Sequence, residues 1–123
     1  MVTTLFCDIV NYTGASEAAD AEDVDRMLRE YNRMARRVVN SCGGVVEKFI
    51  GDAVVAVFGV PAVHEDDAER AVRAGLRLVE VMAELTPLGD EPLRVRVGVN
   101  TGEAYVRLDV DPDSGETSSP AMP

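Results

Sequence analysis

Val45-Val46-Glu47-Lys48-Phe49-Ile50-Gly51-Asp52-Ala53-Val54-Val55-Ala56-Val57-Phe58 is the stretch that decides the fold. Two apolar runs, 45–50 and 53–58, are rich in Val, Ile and Phe, residues that suit a pleated surface. Gly51-Asp52 separates them, and a two-residue connection with Gly first is what a type II′ hairpin turn requires. The spacing therefore predicts a β-hairpin with Asp52 at its tip. Just upstream, Gly43-Gly44 marks the end of a helix.

That helix is predicted from about Ala21 to Ser41. Val24, Met27, Leu28, Tyr31, Met34, Ala35, Val38 and Val39 recur at three- and four-residue steps and form one apolar stripe. Arg26, Arg29, Arg33, Arg36 and Arg37 lie opposite and read as a solvated face. Before the helix, Thr3 to Val10 reads as a strand apolar on both faces, and Asn11-Tyr12-Thr13-Gly14 breaks it into a helical turn. After the hairpin, Gly59-Val60-Pro61 ends the second strand. A second helix is predicted from about Glu65 to Leu85, with Ala68, Ala71, Val72, Gly75, Leu76, Val79, Met82 and Ala83 inward. A loop at 87–92 leads to Leu93, Val95, Val97 and Val99, which alternate with Arg94, Arg96, Gly98 and Asn100 as in a half-buried strand. Thr101-Gly102 is expected to turn or bulge that strand, and Ala104-Tyr105-Val106 to begin another. Strand, helix, hairpin, helix, strand is a split β-α-β order, an α+β fold with an antiparallel-rich sheet and helices on one face. Residues 1–108 form the expected domain. The polar, Pro-rich, aperiodic residues 109–123 are expected to be a disordered tail.

At 123 residues and 46% hydrophobic content the chain has material for one core. The net charge is −10, from 22 acidic and 12 basic residues, and this excludes the broad basic face that a nucleic-acid binder needs. No run approaches about 20 apolar residues and no basic region precedes the first strand, so neither a membrane span nor a signal peptide is expected; a cytoplasmic location follows. Two cysteines, Cys7 and Cys42, are too few for a disulfide scaffold and read as small buried hydrophobes. His64, the only histidine, sits in a polar turn and reads as a helix-start residue rather than a metal ligand.

Three features carry chemistry. Asp8 lies inside Leu5-Phe6-Cys7-Asp8-Ile9-Val10, and a carboxylate in a buried strand needs a cation, a partner or a wet site. Asp52 alone is ordinary turn chemistry. If the first strand lies beside the hairpin, however, the two carboxylates converge at one edge and repel unless cations separate them. Mg²⁺ is the natural cation for paired oxygens, and two such ions about 3.5–4 Å apart form the clamp used for in-line phosphoryl chemistry. The strand-to-helix turn Asn11–Ser16 offers backbone N–H groups to a polyphosphate, and Thr13 adds a hydroxyl; a plain capped turn is the alternative. Lys48 is the only lysine against eleven arginines, on the hairpin with Asp52. It reads either as a solvated strand lysine or as a position wanting a compact three-donor cation.

At these residues the chain resembles the catalytic domain of class III adenylate/guanylate cyclases. The resemblance is carried by Leu5–Thr13, Gly43–Ala53, Val57-Phe58-Gly59 and Val97-Gly98-Val99-Asn100-Thr101-Gly102, in that order, and covers residues 2 to about 108. It implies a ferredoxin-like nucleotidyl cyclase fold. It implies that Asp8 and Asp52 ligate two Mg²⁺ or Mn²⁺ ions, joined by the backbone carbonyl of Ile9. It also implies that the amides of Asn11, Tyr12 and Thr13 bind the triphosphate, and that Lys48 reads an adenine. The implied reaction takes ATP to 3′,5′-cyclic AMP and pyrophosphate at a site shared by a head-to-tail dimer. Two departures stand out. Asn11 occupies a position where many members have Gly, though Asn tolerates the left-handed region. Nothing in 109–123 matches the motif and helix that carry the family's transition-state Asn and Arg and its second purine reader. The final strands and helix are therefore expected to be missing, and such a chain needs a complete partner for full activity. Two other readings compete: a non-catalytic nucleotide-binding or dimerisation module of cyclase descent, and a diguanylate cyclase or polymerase-palm relative. The latter lacks its Gly-Gly-Asp-Glu-Phe-like hairpin here.

Overall fold

The computed structural model describes residues 1–89 and 91–103. In chain order the elements are β1 (Val2–Ile9), α1 (Tyr12–Ala18), α2 (Ala21–Ser41), β2 (Val45–Ile50), β3 (Ala53–Phe58), α3 (Asp67–Met82) and β4 (Val95–Gly102). The four strands make one sheet in the order β2-β3-β1-β4, with every pairing antiparallel. The hairpin falls where its sequence places it. Gly51 takes φ 57°, the left-handed value that the first position of its turn demands, and Asp52 is not among the positive-φ residues. The α2–β2 corner is equally explicit: Gly43 has φ 85° and donates to Asn40 O at 3.1 Å, while Gly44 donates to Val39 O at 3.0 Å. That pair of bonds is the Schellman closure of a helix, and it leaves few orphan carbonyls. A Cβ on Gly44 would lie 2.6 Å from the Phe58 ring, so this glycine also admits the aromatic.

One face of the sheet holds the core. Leu5, Cys7 and Ile9 of β1 and Val54, Ala56 and Phe58 of β3 pack with Met27, Tyr31, Ala35, Val38 and Val39 of α2 and with Ala71, Ala74, Leu78 and Met82 of α3. Full burial of a Leu-sized side chain contributes about 1.5–3 kcal/mol, so this layer supplies most of the driving force. No described helix covers the other face. Thr4, Val55 and Val57 on that side are small and buried, but Val45, Ile50 and Phe6 stand exposed.

Three expectations change. The strand around Asp8 is not apolar on both faces: Leu5, Cys7 and Ile9 point to the helices, whereas Phe6 and Asp8 share the uncovered side, Phe6 with 55% exposure. In α3 the buried residues are Asp67, Ala71, Ala74, Gly75, Leu78, Val81 and Met82; of the expected inward set Ala71, Gly75 and Met82 hold, whereas Ala68, Val72, Leu76, Val79 and Ala83 are exposed. The helix is apolar on two adjacent stripes, and close approach chooses between them. A Cβ on Gly75 would meet Val97 Cγ1 at 2.9 Å, so the glycine lets α3 press on β4 with that stripe inward. Thr101 and Gly102 do not turn; they continue β4 opposite Thr3 and Val2, with Thr101 Oγ1 2.8 Å from Thr3 Oγ1. The strand expected at 104–106 and the tail 109–123 lie outside the described residues.

Candidate active site

Antiparallel pairing sets the site at one end of the uncovered face. Cys7 of β1 is level with Val54 of β3, so Asp8 falls level with Ala53 and beside the hairpin tip. Asp52 reaches β1 directly: its Oδ2 accepts the backbone N–H of Ile9 at 2.9 Å. Two aspartates 44 positions apart are thus brought to one corner, as the order β3-β1 requires. β1 then ends, and the chain enters α1 at the same corner. Asn11 caps α1 with φ 57° and ψ 32°, the only non-Gly residue with positive φ among the described residues. Asn is among the few side chains that tolerate this conformation, so the departure at position 11 leaves the turn intact. Ala15 N–H already donates to Asn11 O at 3.1 Å, while the first-turn amides of Tyr12, Thr13 and Gly14 have no acceptor within the helix. Ser16 Oγ donates to Thr13 O at 3.1 Å.

Lys48 lies on β2, the strand at the far edge of the sheet. A bulge between Val46 and Lys48 absorbs Glu47, so Lys48 sits opposite Val55 and, like Ile50, on the uncovered face. Val55 in turn faces Phe6. Two strand spacings thus separate the Lys48 backbone from β1, about 10 Å, well within reach of a ligand lying across the sheet. Its Nζ is 3.6 Å from Glu47 Oε1, a half-exposed contact of small energetic weight.

Asp8 is not an isolated buried carboxylate. Its side chain is 41% exposed, and Arg96 of β4, its partner in the ladder, grips it with both prongs: Nε to Oδ1 at 3.0 Å and an Nη to Oδ2 at 3.2 Å. That hydrogen bond, then the charge of Asp8 and the charge of Asp52, raise the Arg96 pKa. Arg96 stood in the sequence only as the polar half of an alternation. Its role becomes visible once β1 and β4 are known to pair, because register alone sets it opposite Asp8. Beneath the corner, Tyr31 of α2 is fully buried, and its hydroxyl lies 3.4 Å from both Cys7 O and Cys7 Sγ. Burial pushes the Cys7 thiol up to about 11 against the lowering effect of the Tyr31 hydroxyl, and the charges of Asp8 and Asp52 push it further. Tyr31 is raised as well, first by burial and then by Cys7. Cys7 is therefore a protonated core thiol and no nucleophile. Cys42 is a free, half-buried thiol, and His64 sits just before α3, its backbone N–H donating to Asp67 Oδ2 at 2.7 Å.

Hard oxygen donors fit Mg²⁺ or Mn²⁺, and this corner offers two carboxylates and the adjoining backbone of Ile9. Among the described residues only Oδ2 of Asp52 has a donor, so Oδ1 remains for a cation. No group of three or more His, Cys, Asp or Glu side chains that could hold a metal exists among the described residues, which excludes an all-side-chain cage of that kind there. No helix among them is long and apolar enough to cross a membrane.

Residues 1–112 match the family model of the adenylate and guanylate cyclase catalytic domain. Adenylate cyclase 1 of Rhizobium meliloti (strain 1021) is 34% identical over 109 residues, covering 85% of this chain and 16% of that protein. The adenylyl cyclase CyaB from P. aeruginosa superposes with a TM-score of 0.77 at 31% identity, over 84% of this chain and 56% of that one. The monomeric guanylyl cyclase domain of the RhoGC fusion protein from Blastocladiella emersonii gives 0.78 at 29% identity, over 84% and 60%. The chain thus spans under two thirds of each of these solved structures and a small part of the curated relative. With the fold, the motif order and these similarities in agreement, the chain belongs to the family of adenylate and guanylate cyclase catalytic domains.

Proposed function

We propose that this chain forms the metal-binding half of an adenylate cyclase site, converting ATP to 3′,5′-cyclic AMP and pyrophosphate together with a second cyclase domain. The observation that carries this reading is the convergence of Asp8 and Asp52, tied by the 2.9 Å bond from Ile9 N–H to Asp52 Oδ2. Both carboxylates lie at one corner outside the apolar core, Asp8 half-exposed beside Arg96 and Asp52 at the hairpin tip against Ile9 N–H. Asp8, Asp52 and the Ile9 carbonyl would hold two divalent ions. When bound, such ions supply Lewis-acid activation of the ribose 3′-hydroxyl and neutralise charge on the phosphates. The backbone amides of Asn11, Tyr12 and Thr13 orient the triphosphate, and Lys48 donates a hydrogen bond to the adenine from the same sheet face. The 3′-hydroxyl gives its proton to solvent, its oxygen bonds to the α-phosphorus, and the bond from that phosphorus to the α,β-bridging oxygen breaks as pyrophosphate departs.

Because known cyclases of both purine types resemble this chain, the choice of ATP rests on Lys48, a pure donor suited to adenine's ring-nitrogen acceptors. The partner is a second copy or a complete cyclase domain docked on the uncovered face, where Phe6, Ile50 and Val45 are exposed. The test is to incubate the chain with ATP or GTP and Mn²⁺, alone and mixed with a complete cyclase domain whose own metal aspartates are replaced. Cyclic AMP in the mixture, exceeding cyclic GMP, is the expected result. ATP binding with no cyclic nucleotide in either case contradicts the cyclase reading and favours a nucleotide-binding module.

A further inference from the structure

We propose that Arg96 is a built-in counter-cation at this corner: its guanidinium holds Asp8 in the ion-free chain, and a divalent ion must displace it to use that carboxylate. The proposal rests on the reading of Asp8 as a metal ligand. What it adds is a competitor contributed by the chain itself.

The geometry supports a competitor rather than a permanent strut. Both carboxylate oxygens of Asp8 are engaged, at 3.0 and 3.2 Å, so the fork occupies one lone pair on each oxygen and offsets the charge that an ion would use. The pair is placed by the β1–β4 ladder, which sets Asp8 opposite Arg96 without help from either side chain. The side chains are 41% and 70% exposed, and a surface ion pair of this kind is weak enough to exchange. Room to leave is present as well. Gly98, two residues along the same face of β4, has nothing within 4 Å of where a Cβ would stand. An opening of about 230 Å³ runs past Phe6, Asp8, Ala53, Arg96 and Gly98. Arg94 makes a useful contrast. It has the same charge, lies two residues away on the approach to β4, and forms no ion pair among the described residues.

The consequence is that removing the fork tightens divalent-ion binding, whereas removing a neighbouring positive charge does not. Mn²⁺ binding by the full chain, read from the free-ion electron paramagnetic resonance signal, tests this without requiring catalysis. Arg96→Gln should lower the Mn²⁺ Kd about two- to fivefold, the range expected for an exposed bidentate pair. Arg96→Lys, which keeps the charge and loses the fork, should fall between it and the wild type, and Arg94→Gln should change the Kd by less than about 1.5-fold. Asp8→Asn should weaken binding and abolish the gain from Arg96→Gln. Circular dichroism melting confirms that each variant folds. If Asp8→Asn weakens binding but Arg96→Gln leaves it unchanged or weaker, the counter-cation proposal is overturned while the metal site stands. An equal gain from Arg94→Gln overturns it too, because the effect is then one of net charge. If Asp8→Asn has no effect, or no variant binds Mn²⁺, the metal reading fails and takes the proposal with it.

Discussion

The two faces of the sheet do different work, and β1 shows the contrast within one strand. Leu5, Cys7 and Ile9 face the helices with exposures of 0, 1 and 4%, while Phe6 and Asp8 between them face away, Phe6 at 55%. The covered face carries the folding energy. The uncovered face carries the ionisable groups and pays for them in exposed apolar area. Substitutions on the first should therefore act on stability, and substitutions at the corner of the second on chemistry.

The largest effect should come from the covered face. Leu78→Ala, at a position with no exposure, should destabilise the chain by about 2–5 kcal/mol, read from the urea midpoint. An unchanged midpoint would break the contrast. Asp52→Asn comes next: in the mixed-chain assay it should cut cyclic nucleotide formation about 10²–10³-fold, the scale for losing one key electrostatic group. Its urea midpoint should move little, because Asn can still accept from Ile9 N–H. A third effect belongs to the buried pair under the corner. Cys7 is raised from 9.0 to about 11 on folding, so the unfolded chain releases that proton first as pH rises. Stability from Cys7 is then fully present below about pH 9 and is lost toward pH 11, and Tyr31 adds the same sign above its ordinary range. Urea midpoints should fall steadily from pH 9 to 10.5, and Cys7→Ala should flatten part of that slope. The smallest effect is Phe6→Ala on the uncovered face, about 0.5 kcal/mol or less in the isolated chain.

Much of this was legible in the residues. The hairpin limits and those of α2 follow from turn chemistry and a single apolar stripe, and the structure has them at the same positions. The α3 face is only partly legible: Ala71, Gly75 and Met82 are inward as expected, but Ala74, Leu78 and Val81 compete with Val72, Leu76 and Val79 for the rest of the core. Only the approach of Gly75 to Val97 decides between the two stripes, and that is a tertiary fact. At the site, Asp8 and Asp52 stand out in the sequence as carboxylates among apolar residues, but burial in an apolar strand does not describe Asp8. Its neighbours in sequence face the other way, and the carboxylate itself sits half-exposed against Arg96. A pairing partner 88 positions away leaves no local trace; it emerges only when the β1–β4 register is known.

The central claim, that Asp8 and Asp52 form one divalent-ion site at the corner of the uncovered face, is tested most directly by diffraction. Crystals of the chain grown with Mn²⁺ and a non-cyclisable ATP analogue would be measured at the manganese absorption edge. Two anomalous peaks about 3.5–4 Å apart, bounded by Asp8, Asp52 and the Ile9 carbonyl, are the result predicted. Nucleotide bound with no anomalous peak at these two aspartates, or manganese seated elsewhere, would contradict it.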